Sequence, residues 1–139
     1  MQADIFILAD HAQISEGKLY ISGGGWNRLT VARVPIRQRI GLAVGLRLEP
    51  QEAGRQHSFR IDMQTPGDVV SLGHGSFQSE AFAQDAFQSG AFQGSSSSQM
   101  FLLAIGADLS LEAAGSYEII LNANGTEIKR IEFEVVLGS

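Results

Sequence analysis

The clearest pattern in the chain is a strict alternation of side chains over residues 39–48. One face of this segment is apolar and consists of Ile40, Leu42, Val44, Leu46 and Leu48. A period of two is typical of a β-strand that turns one face to a core. The other face carries Gly41, Ala43 and Gly45 between Arg39 and Arg47. Because this second face is flat, we expect either a loop of the same chain or a partner to lie close against it.

Shorter apolar segments fill most of the remaining chain. Residues 3–9 are apolar on both faces, which predicts a strand buried on both sides, followed by a polar turn between Asp10 and Lys18. Asn124-Gly125 is the strongest hairpin signal. About eight short strands separated by turns, without a helical period, predict an all-β fold. We expect an antiparallel β-sandwich that forms a single domain over residues 1–139.

The segment Leu19–Trp26 ends a short strand in three consecutive glycines, Gly23, Gly24 and Gly25, and then reaches the single tryptophan of the chain. Glycine enters strained backbone conformations at little cost and lets other groups approach closely. We therefore expect Trp26 to fill the core beside a sharp bend. This structural motif is not a phosphate-binding loop, because no Lys-Ser/Thr pair follows the glycines.

Residues 77–99 interrupt the strand pattern with a repeat of five residues. Phe77, Phe82, Phe87 and Phe92 occupy the same position in successive repeats, and a run of serines follows them. A spacing of five gathers these rings neither on one side of a helix nor on one face of a strand. We predict a long insertion rich in Phe, Gln and Ser, whose rings contact either a partner protein or the sandwich itself.

Composition fits a folded domain of 139 residues, with 44% hydrophobic and 18% charged residues. The net charge of −5 is uneven, since residues 1–60 carry +3 and residues 61–139 carry −8. We interpret this as basic and acidic strands that neutralise each other. Cysteine is absent, and no targeting or membrane segment is evident, so we expect a cytoplasmic protein.

The residues offer little support for an enzyme or a metal site. His11, His57 and His74 are interpreted as surface or turn residues, since no second histidine has ligand spacing. Ser76 near His74 has no marked acid partner. Calcium binding is not indicated, because the candidate aspartates are scattered singly at Asp62, Asp68, Asp85 and Asp108. No cofactor is expected.

The charge and aromatic pattern of the sequence argues against nucleic acid as a partner. Five arginines fall in the first third of the chain, namely Arg28, Arg33, Arg37, Arg39 and Arg47. An acidic overall balance, without exposed aromatic residues between the arginines, argues against a nucleic-acid face.

Two blocks carry a family resemblance. The first runs from Ala3 to Gln13 and the second from Gly17 to Trp26, ending in Gly-Gly-Gly-Trp. Together with the hairpin from Gly115 to Val135, they resemble a family of small bacterial proteins of unknown function with a GGGW-type signature. The resemblance implies an Ig-like or C2-like sandwich and assigns no catalytic residue; the insertion departs from it.

The sequence therefore predicts a non-enzymatic protein-interaction or self-assembly module whose partner is a protein, including a second copy of the chain. The residues expected to make the contacts are Phe77, Phe82, Phe87, Phe92, Arg39 and Arg47. An alternative is a sandwich that binds a carbohydrate or a lipid headgroup through Trp26, Tyr20 and the turn glycines.

Overall fold

The computed structural model describes residues 1–78 and 99–138, which form nine β-strands and one 3₁₀ turn. The strands are β1 (Gln2–Ser15), β2 (Lys18–Gly24), β3 (Arg28–Val31), β4 (Ile36–Leu48), β5 (Gln56–Gln64), β6 (Val69–Gln78), β7 (Gln99–Leu111), β8 (Gly115–Ala123) and β9 (Thr126–Leu137). The 3₁₀ turn, Pro50–Glu52, follows β4. No α-helix occurs in these two ranges, so the prediction of an all-β fold is confirmed.

The strands form two sheets. Sheet A has the order β2-β1-β4-β7 and is fully antiparallel, and sheet B has the order β3-β9-β8-β5-β6. Among the strands of the described residues, only β3 and β9 pair in parallel. The described residues thus contain one strand more than the eight or so that the sequence predicts, because Arg28–Val31 forms a short strand of its own beside β9.

A single hydrophobic core lies between the two sheets. The predicted apolar face of β4 is its centre, and all five side chains of that face are at most 2% exposed. Sheet B contributes alternate residues of its strands, including Ile61, Ile119, Leu121 and Phe133. The period-two pattern therefore identified the core face of β4 and of the strands opposite it.

The flat second face of β4 is covered by the chain itself. Strand β1 pairs with β4 as far as Ala9–Gly41 and then continues as a strand to Ser15, where the sequence analysis expected a turn. Beyond Ala9 its backbone passes over Gly41, where an added Cβ would lie 2.6 Å from the amide nitrogen of Ala12. The turn itself is confined to Glu16 and Gly17, both with positive φ. Of the two occupants expected for the flat face, the same chain therefore covers Gly41.

Gly25-Trp26-Asn27 connects sheet A to sheet B. Gly25 has a φ of 86°, which favours glycine, and its N–H donates to the carbonyl of Leu8 in β1 at 2.8 Å. The Trp26 ring packs edge-on against Phe133 at a centroid distance of 5.9 Å. Trp26 is partly buried, so it closes the border of the core rather than filling its centre.

The hairpin between β8 and β9 turns at Asn124-Gly125, as the sequence predicts. Both residues have positive φ, 51° and 84°. A two-residue hairpin turn whose twist matches that of its flanking strands requires this backbone conformation at both residues.

Candidate interaction surface

Strand β7 forms one edge of sheet A. It pairs with β4 through thirteen consecutive residue pairs, from Leu48–Gln99 to Ile36–Leu111, without a register shift. No strand in the described part of the chain pairs with its other edge. Such an edge presents a row of backbone N–H and C=O groups that can bind a further strand. Residues 99–107 of β7 carry no charged side chain, and we call this segment the β7 edge surface.

The side chains of the β7 edge surface are apolar and incompletely covered on both faces of the sheet. The face toward sheet B carries the partly buried residues Phe101, Leu103, Ile105 and Ala107, whose direct neighbours on β4 are 0–2% exposed. On the outward face Met100 is 43% exposed, and Leu102 and Ala104 are partly buried. The surface is therefore an apolar strip that is open along its edge.

The three other sheet edges carry features that hinder pairing. Strand β2 has seven residues, including Lys18, and ends in glycines, and β3 has four residues beginning with Arg28. Strand β6 shows a register shift against β5 and contains Gly73, His74 and Gly75. Short length, basic side chains and bulges are known protections of exposed edges. Among the edges of residues 1–78 and 99–138, only β7 lacks all of these protections over nine consecutive positions.

Phe77 lies at the end of β6 and packs on its own domain. Its ring stacks on that of Phe101 in β7, with centroids 3.8 Å apart and an angle of 3° between the planes. The centroid of the His57 ring lies 5.6 Å from the centroid of the Phe77 ring. For Phe77 the structure thus shows the intrachain contact, one of the two alternatives that the sequence left open. Phe82, Phe87 and Phe92 lie outside the described residues.

Arg39 and Arg47 lie at opposite ends of the flat face of β4, and both form ion pairs within the chain. Arg39 Nη1 lies 3.5 Å from Asp108 of β7, and Arg47 Nε lies 2.9 Å from Asp4 of β1. Arg47 also has Glu49 at 3.7 Å. The pair of Arg39 is largely exposed, and exposed pairs contribute little to stability. The structure does not bring the two arginines together.

His57 is buried, which contradicts its interpretation as a surface or turn residue. It is 4% exposed, its Nε2 donates to the backbone carbonyl of Glu52 at 2.9 Å, and its Nδ1 accepts from the Asn124 side-chain amide at 3.0 Å. The amide oxygen of Asn124 in turn accepts from the Ser58 N–H. Both ring nitrogens are thus used in linking β5 to the β8–β9 turn and to the 3₁₀ turn. The signal that sequence reasoning missed was the period of two in β5, because His57 falls on the same face of the strand as the buried Ile61 and Met63.

The remaining polar candidates stay dispersed. His11 and His74 are exposed on different strands, and His11 contacts Gln13 at 3.3 Å. No group of three His, Asp or Glu side chains in residues 1–78 and 99–138 is placed to hold a metal ion. Asp62 pairs with Arg60, and Asp68 bonds the backbone of its own turn.

A shallow groove of about 300 Å³ lies beside Trp26, between β1 and β9. Its walls include Phe6, Ile7, Asn27 and Ile131. The indole Nε1 of Trp26 has no hydrogen-bond partner among the described residues. Tyr20, the other aromatic residue of the alternative hypothesis, is 49% exposed on β2 and does not line this groove.

Comparison with known proteins adds little about activity. The superoxide reductase (neelaredoxin) from Ignicoccus hospitalis is 13% identical, with a TM-score of 0.38 over 81% of this chain and 75% of that chain. The Pseudomonas fluorescens alkylpurine DNA glycosylase AlkC, bound to DNA containing an abasic-site analogue, is 14% identical, with a TM-score of 0.39 over 79% of this chain and 28% of that chain. Similarities this distant support no argument about function. No curated protein matches the chain.

Two further findings bear on the class of the protein. In the described part of the chain, no helix has the length and apolar character needed to span a membrane. A family of unknown function, DUF6941, matches residues 4–136, which is nearly the whole chain. The expectation of a family of unknown function is thus confirmed, and the chain belongs to DUF6941.

Proposed function

We propose that this protein is a non-enzymatic interaction module that binds an extended protein segment as an additional strand on the β7 edge surface. The observation that carries the proposal is the regular, uncharged and unprotected edge of β7. In strand addition, backbone hydrogen bonds hold the segment and alternate side chains select it. The exposed parts of Met100 and Leu102 supply apolar area for this contact.

The proposal moves the contact surface relative to the residues predicted from the sequence. Phe77 packs inward on Phe101, and Arg39 and Arg47 are held in ion pairs at opposite ends of β4. The roles of Phe82, Phe87 and Phe92 in binding stay predictions. Strand β7 begins at Gln99, seven positions after Phe92, so the three phenylalanines directly precede the proposed binding strand in the sequence.

The test uses a synthetic peptide with the sequence of residues 99–107 and lysines added at both ends for solubility. Hydrogen exchange of the full chain is followed by mass spectrometry with and without this peptide. At a protein concentration at which the chain is monomeric, we expect protection of the amides of residues 99–107 that point away from β4, because the peptide pairs with the edge of β7 that no described strand occupies. Exchange in sheet B is expected to change little.

Two lysine variants provide the contrast. Leu102→Lys places a charge on the outward face of the β7 edge surface and is expected to abolish the protection. Val69→Lys, on the edge of β6, is the control for a lysine on another edge strand, because Val69 is an exposed apolar residue, whereas Leu102 is partly buried. Peptide binding without protection of residues 99–107, or equal loss in both variants, would contradict the proposal.

The finer identity of the fold belongs to the same proposal. We infer an Ig-like or C2-like sandwich, and the Tyr117 hydroxyl supports it by donating to the carbonyl of Ala113 at 2.6 Å, four residues upstream. A buried tyrosine bonded back to the preceding turn is a feature of Greek-key sandwiches. A bacterial source, the family-wide GGGW signature and a cytoplasmic location stay predictions from the sequence.

A second candidate function rests on Trp26. Trp26 lines a groove, and its buried indole N–H has no hydrogen-bond partner among the described residues, so a carbohydrate or a lipid headgroup would bond to it only if the ring moved to expose that N–H. Acrylamide quenching of tryptophan fluorescence tests this, since Trp26 is the single tryptophan. A blue-shifted emission that resists quenching would show that the indole is not available for stacking on a ligand.

A further inference from the structure

The edge of β7 that no described strand occupies restricts how a second copy of the chain can pair with it. In an antiparallel pair, residues directly opposite each other point to the same face of the sheet. A two-fold axis that passes through a residue position therefore pairs inward residues with inward ones. If the axis instead lay level with the peptide bond between Leu103 and Ala104, Leu103 of one copy, which faces sheet B, would lie opposite the outward-facing Ala104 of the other copy. The two-fold axis of an extended sheet A therefore lies midway between one residue of β7 and the same residue in the second copy.

The register centred on Leu103 joins large side chains to small ones on the outward face. It places Met100 opposite Gly106 of the second copy, and Leu102 opposite Ala104 of the second copy. On the inward face Phe101 meets Ile105, and Leu103 meets the Leu103 of the second copy. All nine residues of the β7 edge surface are then paired, and no charged residue lies within the pairing.

The neighbouring registers fit less well. A centre at Ala104 places Met100 opposite Asp108 and leaves two alanine side chains facing each other on the outward face. A centre at Leu102 places two leucines opposite each other on that face and pairs only residues 99–105 within the described strand. Close packing favours the register in which volumes alternate.

We propose that two copies of this chain associate by antiparallel pairing of their β7 strands, with Leu103 opposite Leu103. The pairing joins the two four-stranded sheets into one sheet of eight strands. It is isologous, as the interface of a two-fold dimer must be. The partner is a second copy because the strip is uncharged and complementary to itself in this register. This inference rests on the proposed function and adds to it the identity of the partner and the register.

Cysteine crosslinking tests the register directly, because the natural chain contains no cysteine. Opposite residues of paired strands have Cα atoms about 4.5–5.5 Å apart, within the range of a disulfide. Leu103→Cys is therefore expected to crosslink with itself under mild oxidation. A mixture of the Leu102→Cys and Ala104→Cys proteins is expected to crosslink several-fold more than either protein alone, because only the mixture places two thiols directly opposite. Val69→Cys serves as the background control.

Light scattering after size exclusion, across a dilution series, gives the second measurement. Wild type and Val69→Lys are expected to show a concentration-dependent dimer, and Leu102→Lys a monomer. The mixed-cysteine result remains informative if Leu103→Cys disturbs the core, because Leu102 and Ala104 face outward.

The outcomes separate this inference from the proposed function. A monomer at all concentrations, whose β7 still binds the tagged peptide, would overturn the inference and leave the interaction module intact. A dimer that crosslinks in another register, or through Val69→Cys, would overturn the pairing centred on Leu103. A monomer that also fails to bind the peptide would overturn both.

Discussion

Strands β4 and β7 are direct neighbours, paired along their whole length, yet they differ in burial. Over residues 40–48 the core-facing side chains of β4 are at most 2% exposed, whereas their partners Phe101, Leu103, Ile105 and Ala107 of β7 are only partly buried. The composition of the two core-facing rows does not explain this difference, since both consist of apolar residues. The difference comes from their neighbours, because β4 has β1 on its other side and β7 has none among the described strands.

The contrast is confined to residues 101–107 of β7, because Leu109 and Leu111 on the same face of this edge strand are 1% and 0% exposed. On the second face of β4, Gly41 is covered by the backbone of β1 and Gly45 by the side chain of Ile5 in the same strand. The equivalent face of β7 retains an exposed Met100. The same side-chain pattern therefore yields a core in one strand and an available surface in the next.

The largest expected effect is a difference between truncations in the two strands. Leu42→Ala is expected to lower the free energy of unfolding by about 2–5 kcal/mol, because Leu42 is 1% exposed and truncation leaves a cavity. Leu103→Ala is expected to cost roughly half as much, because Leu103 is already partly in water. Urea denaturation of both variants measures this, and equal losses would show that β7 is as well covered as β4.

A second pair of variants compares two glycines that are direct partners across β4 and β7, Gly41 and Gly106. Gly41→Ala is expected to cost about 1–3 kcal/mol, because its Cβ would meet the backbone of His11 and Ala12 at 2.6–2.9 Å. Gly106→Ala is expected to change stability by less than about 0.5 kcal/mol, because its Cβ would meet the exposed side chain of Arg39, which can move aside. A mild effect at Gly41 would mean that β1 does not cross this face closely.

The aromatic contact between the sheets provides a smaller effect. Phe77→Leu is expected to lower stability by about 0.5–1.5 kcal/mol, because it removes the stacking on Phe101 but keeps most of the apolar volume. Hydrogen exchange is expected to rise first near Phe101 in β7 and to stay unchanged in β4. An equal rise in both strands would argue against a local role for this stack.

The smallest effect concerns pH at the 3₁₀ turn that follows β4. Burial alone would raise the pKa of Glu52, but hydrogen bonds from the Met1 ammonium and the Glu49 N–H outweigh it, and the pKa lies below its usual value of 4.5. A lowered pKa means that the folded state favours the charged form, so this stabilisation is present above pH 4.5 and is lost as pH falls through the lowered pKa. Wild type is expected to lose more stability than Glu52→Gln between about pH 5 and 3. Parallel curves for the two proteins would exclude this role.

Much of the fold followed from local pattern. Alternation located β4, β5 and the last two strands, and Asn124-Gly125 located their hairpin. The extension of β1 to Ser15 was not predicted, because Asp10–Ser15 is mostly polar, with Ala12 and Ile14 as its apolar residues, and forms a strand by pairing with β2 and packing over Gly41. Local sequence does not encode such nonlocal contacts.

The candidate surface was harder to derive from sequence than the fold. Residues 101–109 were recognisable as a strand, but whether a strand lies at an edge depends on the order of the sheet, which residues far apart determine. His57 was misjudged for a related reason. A buried histidine needs acceptors and donors, and the ones that His57 uses come from Glu52 and from Asn124, a residue 67 positions away.

The connector around Trp26 gives the domain two unlike sides. Gly25 donates its N–H to Leu8 of β1, and Asn27 accepts the N–H of Glu134 of β9, so main-chain bonds fasten the layers to each other here. At the opposite edges of the sheets, β6 and β7 are joined by the stacked rings of Phe77 and Phe101, which is a side-chain contact. We therefore expect the two sheets to separate first at the contact between Phe77 and Phe101, with residues 25–27 acting as the hinge.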